Sequence, residues 1–371
     1  MAVRVEIENL SNVPYSEYFL TGFYILEKQR IIDEFNISYA PGFGPGRIHR
    51  FVNHARKKIG WTAPSSGDDW SHVVGTIRYG SKKRKFAINV LDTPWDFSSR
   101  RFIENADVYF KCQYPKDFRK GFVQLSRQSR IVLPQLVVEQ SHKVKPLMLG
   151  RPLSRCMDFN KNIKILRVFE KGRRVSARKY NLLVYFGMAY DDIDIPNSHH
   201  PHLKRAQMAV WVKDNIPDAK VILGLAKQDK FLGQLGSEAL RLENRKRIGD
   251  KHYLDLVQGS FSTLNITGLR GSIPFRVIDS FLSGMVLISD NMCVDWYDPL
   301  VPGRDFLSVG DLGYELLQDI DLEKSCQILK NHVNDIEREF RDTIDYRDSR
   351  FKQFYSPESV ASYILNETET S

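Results

Sequence analysis

The stretch from Tyr253 to Asn291 holds the residues best placed for chemistry. A strand reading ends at Asn265, a loop with Gly268, Arg270, Gly271 and Ser272 follows, and a helix begins near Pro274. The first turn of such a helix points free backbone N–H groups and a positive dipole end at the loop, which is the chemistry of an anion site. Arg276 in that turn suits a diphosphate, and Asp279 one turn later suits ribose hydroxyls. The plain alternative is that Pro274 only starts a helix, Arg276 pairs with a carboxylate and Asp279 balances the dipole.

In the first half, Asp92 and Asp96 flank Pro94-Trp95 directly after the strand reading Lys85 to Leu91. Trp95 can stack on a ring; a polar turn, an N-cap at Asp92 and a core tryptophan form the competing reading. Lys111 and Gln113 follow the apolar run VYF, and Lys227 and Lys230 follow KVILGL. These positions draw interest because open α/β sheets bind ligands beyond the C-terminal ends of their strands, although most lysines are solvated surface. His199-His200-Pro201-His202 offers imidazoles, yet its proline and the preceding Asn197-Ser198 read as an exposed loop. No acidic or cysteine partner stands at zinc-site spacing, so no metal is expected. Asp191-Asp192-Ile193-Asp194 reads as a charged loop.

The elements that must carry these residues alternate. Strand readings at Val3 to Ile7, Ile37 to Ala40, Lys85 to Leu91 and Val108 to Lys111 interleave with helical stretches, the first from Tyr18 to Phe35. Gly150 to Lys179 mixes many basic residues with little clean periodicity and reads as a connection. Alternation resumes with strands at Leu182 to Gly187, Lys220 to Leu225, Ser260 to Asn265 and Met285 to Ser289. Helices are read at Leu203 to Asn215, from Tyr253, and from Pro274 to Ser283, with amphipathic helices after Leu322. The pattern predicts the α/β class: two Rossmann-like, doubly wound domains facing a cleft, with C-terminal helices. The divisions expected are 1–172, 173–345 and a tail over 346–371 that packs back on the first domain.

A chain of 371 residues, 42% hydrophobic, can bury two sizeable cores. It has no run of the roughly 18 apolar residues that a membrane-spanning helix needs, and Glu6 and Glu8 stand where a signal peptide would be apolar. The expectation is a cytoplasmic protein. Four scattered cysteines without a CxxC pair suggest neither a disulfide framework nor a zinc site. The net charge of +9 favours anionic partners in general: nucleotide diphosphates, anionic glycans, nucleic acid or a membrane surface.

The second half resembles the sugar-nucleotide-binding domain of the exostosin-like glycosyltransferases. The likeness is carried in order by Arg178-Lys179-Tyr180, Phe186-Gly187, Tyr253 with Leu256 and Val257, the strand Ser260 to Leu264, then Gly268, Ser272, Arg276, Asp279, Gly284 and VLISD ending at Asp290. It runs from Arg178 to about Leu307. The resemblance implies a GT-B fold and transfer of a sugar, hexosyl or pentosyl, from a nucleotide-diphosphate sugar to a glycan acceptor, with uridine as the base. Gly187, Lys227, Gly268, Arg270, Ser272, Arg276 and Asp279 would then bind the donor, with no metal or other cofactor required. Asp279 stands where the family usually has glutamate, and the position eight before it is Gly271 rather than the second glutamate of related retaining enzymes, which favours inversion. Inversion needs a base: Asp92 or Asp96, with Trp95 and Lys111 on the acceptor. The competing class is a nucleic-acid-binding or scaffold protein using its basic surface. No nucleic-acid-binding motif is visible, so nucleic acid is not expected as a partner, while peripheral contact with a membrane stays open.

Overall fold

The computed structural model describes residues 2–10, 13–38, 72–91, 94, 100–116, 138–154, 157–173, 177–188, 201–225, 242, 248–267, 272–310 and 321–371. Asp92, Trp95, Asp96, Lys227, Gly268 and Arg270 lie outside these residues. The fold is mixed α/β, built on two sheets of mainly parallel strands covered by helices.

The first sheet contains β1 (Val3–Leu10), β2 (Glu34–Ile37), β3 (His72–Tyr79), β4 (Lys82–Asn89), β5 (Val108–Lys111) and β7 (Val144–Pro146), in the order β2-β1-β3-β4-β5-β7. β1 runs parallel to β2, and β4, β5 and β7 are mutually parallel. Between these groups β3 is antiparallel to both neighbours, so this sheet is mixed where the sequence pattern predicted parallel strands. Helix α1 (Val13–Lys28) covers one face through Tyr18, Phe19, Phe23 and Leu26, which are buried with Val5, Ile7, Phe86 and Phe110. The short helix α2 (Arg100–Asn105) leads into β5.

Residues 150–179, predicted as an irregular connection, contain helix α3 (Phe159–Arg173). Asn162, Leu166, Phe169 and Arg173 recur at helical spacing and are buried, while Lys161, Lys164, Arg167 and Lys171 take the exposed side. The many cations hid a narrow apolar stripe.

The second sheet has the order β13-β11-β10-β8-β9, with β8 (Tyr180–Met188), β9 (Ala219–Leu225), β10 (Ser260–Asn265), β11 (Val286–Ser289) and β13 (Leu307–Ser308). Every pairing in it is parallel. Every residue of β10 and β11 is buried, as expected for strands covered on both faces. Helix α4 (Pro201–Asn215) packs with one face, and α5 (Asp250–Gln258) and α6 (Arg276–Ser283) with the other. Helix α6 ends at Gly284, whose φ of 70° caps it in the left-handed region; an added Cβ there would also meet the Ile344 side chain.

After α7 (Leu322–Asn334) and α8 (Ile336–Arg350), a π-helical turn, Phe351–Tyr355, leads the chain back to the first sheet as α9 (Pro357–Thr370). Ser356 caps α9 by accepting from the Ser359 N–H, and Pro357 opens it. Tyr79 donates to the Leu365 carbonyl at 2.5 Å and Tyr18 to the Tyr355 carbonyl at 2.6 Å, fixing α9 over α1 and β3.

Candidate functional site

Strand order locates the crevice. In sequence order the second sheet runs out from β8 to β9 and then back across to β10, so the topology reverses between β8 and β10. At such a point the crossovers leave the sheet on opposite faces, and a crevice opens beyond the C-terminal strand ends. Gly187, paired with Gly224 across β8 and β9, stands at one lip; Asn265 to Thr267 stand at the other.

Across this crevice lies the C-terminal edge of the first sheet. Gln113, just beyond β5, donates to the Ile273 carbonyl at 2.8 Å and accepts from the Ile273 N–H at 2.9 Å. The ribbon β6 (Tyr114–Pro115) with β12 (Val294–Asp295) joins the segments that follow β5 and β11. Arg151, beyond β7, reaches Asp279 in α6. Each contact links residues just past strand C-terminal ends, so the two edges face one another.

On the second sheet's side, Ser272 and Arg276 are buried at the start of α6. The Arg276 guanidinium lies 5.6 Å from the centre of the Phe186 ring, and Arg205 lies 5.7 Å from the same ring. Arg205 donates to the carbonyls of Ile266 and Thr267 at 2.7 and 3.1 Å, fixing the exit from β10. Asp290 at the end of β11 accepts from the Thr267 N–H at 2.9 Å and from its hydroxyl at 2.7 Å. Burial pushes the Asp290 carboxyl up from 3.8 to about 6 against the opposing pull of those hydrogen bonds. Lys204 is also buried, which lowers its ammonium, with the charge of Asp290 acting in the other direction.

Asp279 is fully buried and already engaged. It accepts from the Tyr253 hydroxyl at 2.7 Å and touches Arg151 Nε at 2.5 Å, the latter a Coulombic contact without hydrogen-bond alignment. Burial, then the charge and hydrogen bond of Asp279, push the Tyr253 hydroxyl well up. A ribose contact at Asp279 therefore requires the exchange of one of these partners. Beside this cluster a cleft of about 560 Å³ opens between α3 and α5, in the size range of small-molecule sites. Tyr185, Tyr253, Phe275 and Phe169 line it, and Lys161, Lys164 and Lys251 stand at its wall.

On the opposite edge, Lys111 is buried rather than presented, donating to Asn89 Oδ1 at 3.3 Å. Asn89 also donates to the Tyr109 hydroxyl at 2.9 Å, which sits 2.8 Å from His72 Nε2. The structure thus brings Gly187, Ser272, Arg276 and Asp279 to one crevice, with Lys111 beneath the edge that faces it. Arg151, Arg205, Lys204 and Tyr253 were not foreseen as site residues. Arg151 follows the apolar run LMLG, the same strand-end signal that marked Lys111. Pro201 and His202 open α4 rather than belonging to a loop, and His199 and His200 lie outside the described residues. Among the described residues no group of three His, Cys, Asp or Glu is placed to hold a metal, and no helix is long and apolar enough to cross a membrane.

No family model and no curated protein matches the chain. Among solved structures it is similar to the Anabaena protein HepE in complex with UDP and glucose, at 11% identity and a TM-score of 0.45 over 99% of each chain. It is similar to WaaG, a glycosyltransferase involved in lipopolysaccharide biosynthesis, at 10% identity and a TM-score of 0.42 over 97% of each chain. It is also similar to AviGT4, a glycosyltransferase involved in avilamycin A biosynthesis, at 15% identity and a TM-score of 0.31, covering 53% of this chain and 52% of AviGT4. The match thus spans about half the length of AviGT4.

Proposed function

We propose that the chain is a GT-B glycosyltransferase, akin to the exostosin-like enzymes, that moves a sugar from a uridine-diphosphate sugar to a glycan acceptor with inversion. The observation that carries this reading is the facing of two strand-end edges, one with a switch-point crevice and a helix start bearing Arg276. Such a crevice suits a diphosphate, and the opposed edge suits a second substrate.

In this reading the diphosphate lies over Gly187, Ser272 and Arg276, with Gly268, Arg270 and Lys227 completing its surround. The nucleoside extends toward the 560 Å³ cleft, where Tyr185, Tyr253 and Phe275 offer ring faces, and Asp279 exchanges Arg151 for a ribose hydroxyl. From the other edge, Asp92 or Asp96 takes the proton of the acceptor hydroxyl as its oxygen attacks the anomeric carbon and the bond to the diphosphate breaks. The leaving charge meets Arg276 and the N–H groups of α6. Trp95 and Lys111 belong to the acceptor side. Residues 1–172 and 173–345 form the acceptor and donor domains, and 346–371 the returning tail.

Thermal unfolding of the full chain across nucleoside diphosphates and their sugars tests the reading, because a ligand that binds only the folded state raises its stability. A selective rise with uridine diphosphate or its sugars is the expected result; no rise with any nucleotide would overturn it. The anomeric configuration of the product by NMR then tests inversion.

A further inference from the structure

The first sheet carries a second charged feature, at the end of its strands opposite the crevice. Strand register sets Arg4 opposite Arg78, and Arg78 opposite Lys83, so three cations lie side by side across β1, β3 and β4. Lys85, two residues along β4, stands opposite Thr76 on the same face. Directly opposed side chains have Cβ atoms roughly 5 Å apart, and like charges so placed repel. All four are exposed.

Only Arg4 has a counter-charge, Glu34 at 3.5 Å on β2. Among the described residues, Arg78, Lys83 and Lys85 make no ion pair, and the nearby Asp107 is taken by Arg84 at 3.7 Å. Their neighbours Lys82 and Arg84 alternate to the other face and donate to the carbonyls of Glu369 and Ser371 at the end of α9. The strand therefore divides its cations: one set caps a helix, and the other is left unneutralised on an open face.

We propose that Arg4, Arg78, Lys83 and Lys85 form a docking surface for an anionic phospholipid bilayer. The cations form a two-dimensional array on a sheet face, which fits a plane of phosphate headgroups rather than a single strand tracked along a groove. None of the exposed large apolar side chains among the described residues lies on these strands, so the contact is electrostatic, without stacking or insertion. The surface lies on the face of the sheet away from α1 and α9, at the strand ends remote from the crevice, and the proposal is independent of the transferase reading.

The test is co-sedimentation of the full chain with vesicles of mixed phosphatidylglycerol and phosphatidylcholine, against phosphatidylcholine alone, at rising salt. Binding is expected only to the anionic vesicles and is lost as salt shortens the screening length. The triple variant Arg78→Gln, Lys83→Gln, Lys85→Gln binds more weakly by roughly fivefold per charge, about a hundredfold in all. Lys83→Gln alone, which relieves the repulsion with Arg78, leaves the unfolding midpoint equal to or above that of the native chain and so separates binding from folding. Equal vesicle binding by the triple variant would overturn the proposal. So would binding of heparin or duplex DNA through these residues without binding to vesicles.

Discussion

Two seams join the sheets, and they are built from opposite materials. At the crevice the junction is a few polar contacts: the Gln113 amide on Ile273, the β6 and β12 ribbon, and Arg151 on Asp279. At the far seam the π-helical turn and α9 lie over α1 among buried aromatics, with Tyr355 against both Phe281 and Trp296. Inside it Arg350 contacts Asp298, Asp305 at 3.1 Å and the Tyr355 hydroxyl at 3.1 Å. Apolar burial is non-directional and hard to exchange, whereas a carboxylate can trade one donor for another at small net cost. The far seam is therefore the permanent one, and the crevice seam is where a ligand can compete.

The far seam breaks most severely at Arg350. Arg350→Ala leaves Asp305, fully buried, and Asp298 without their cation, and a broken buried pair costs roughly 3–5 kcal/mol. Denaturant unfolding should show that loss in the full chain. A loss near that of an exposed ion pair, below about 1 kcal/mol, would mean that the network is not what holds the seam.

Steric fit at the same seam gives the next effect. At Gly22 of α1 an added Cβ would collide with the carbonyl of Pro357, the first residue of α9. Gly22→Ala therefore trades a small gain in helix propensity for overpacking worth roughly 1–3 kcal/mol. The net destabilisation should appear in thermal unfolding, and a stabilised variant would show that α9 does not seat this closely.

The crevice seam is probed through ligand rather than stability. Arg276→Ala should weaken uridine diphosphate binding by roughly ten- to a hundredfold, the worth of one charge-assisted hydrogen bond, measured by titration calorimetry. Unchanged affinity would remove Arg276 from the donor site. Arg151 sharpens the contrast: if a ribose displaces it from Asp279, Arg151→Gln weakens the nucleotide far less than Arg276→Ala does.

The two halves also differ in how far the sequence discloses them. The reading of β10 as Ser260 to Asn265 agrees with the structure residue for residue, because a parallel strand covered on both faces is a continuous run of strand formers between turns. β3 escaped notice. Its partners lie on either side in space but not in local pattern, and Gly75 interrupts it where the Phe86 ring occupies the space of a side chain. The candidate site shows the same split. Arg276 and Ser272 were legible because a helix start after a glycine-bearing loop is a local signal. Arg151 and Tyr253 matter only through a contact with Asp279 that no spacing discloses.

The smallest effect concerns the wall of the crevice itself. Asp290 has a folded value of about 6 against 3.8, so between about pH 4 and 6 the folded state holds a proton that the unfolded chain has released. Stability contributed by that proton is fully present below about pH 4 and is lost as pH rises through 6, with a slope approaching 1.4 kcal/mol per unit inside the window. Asp290→Asn cannot titrate and should flatten this part of the stability profile, while Thr267, which both donates to Asp290 and has its carbonyl held by Arg205, keeps one of its two anchors. An unchanged slope in the variant would assign the titration elsewhere and leave the crevice wall insensitive to pH, as the far seam is expected to be.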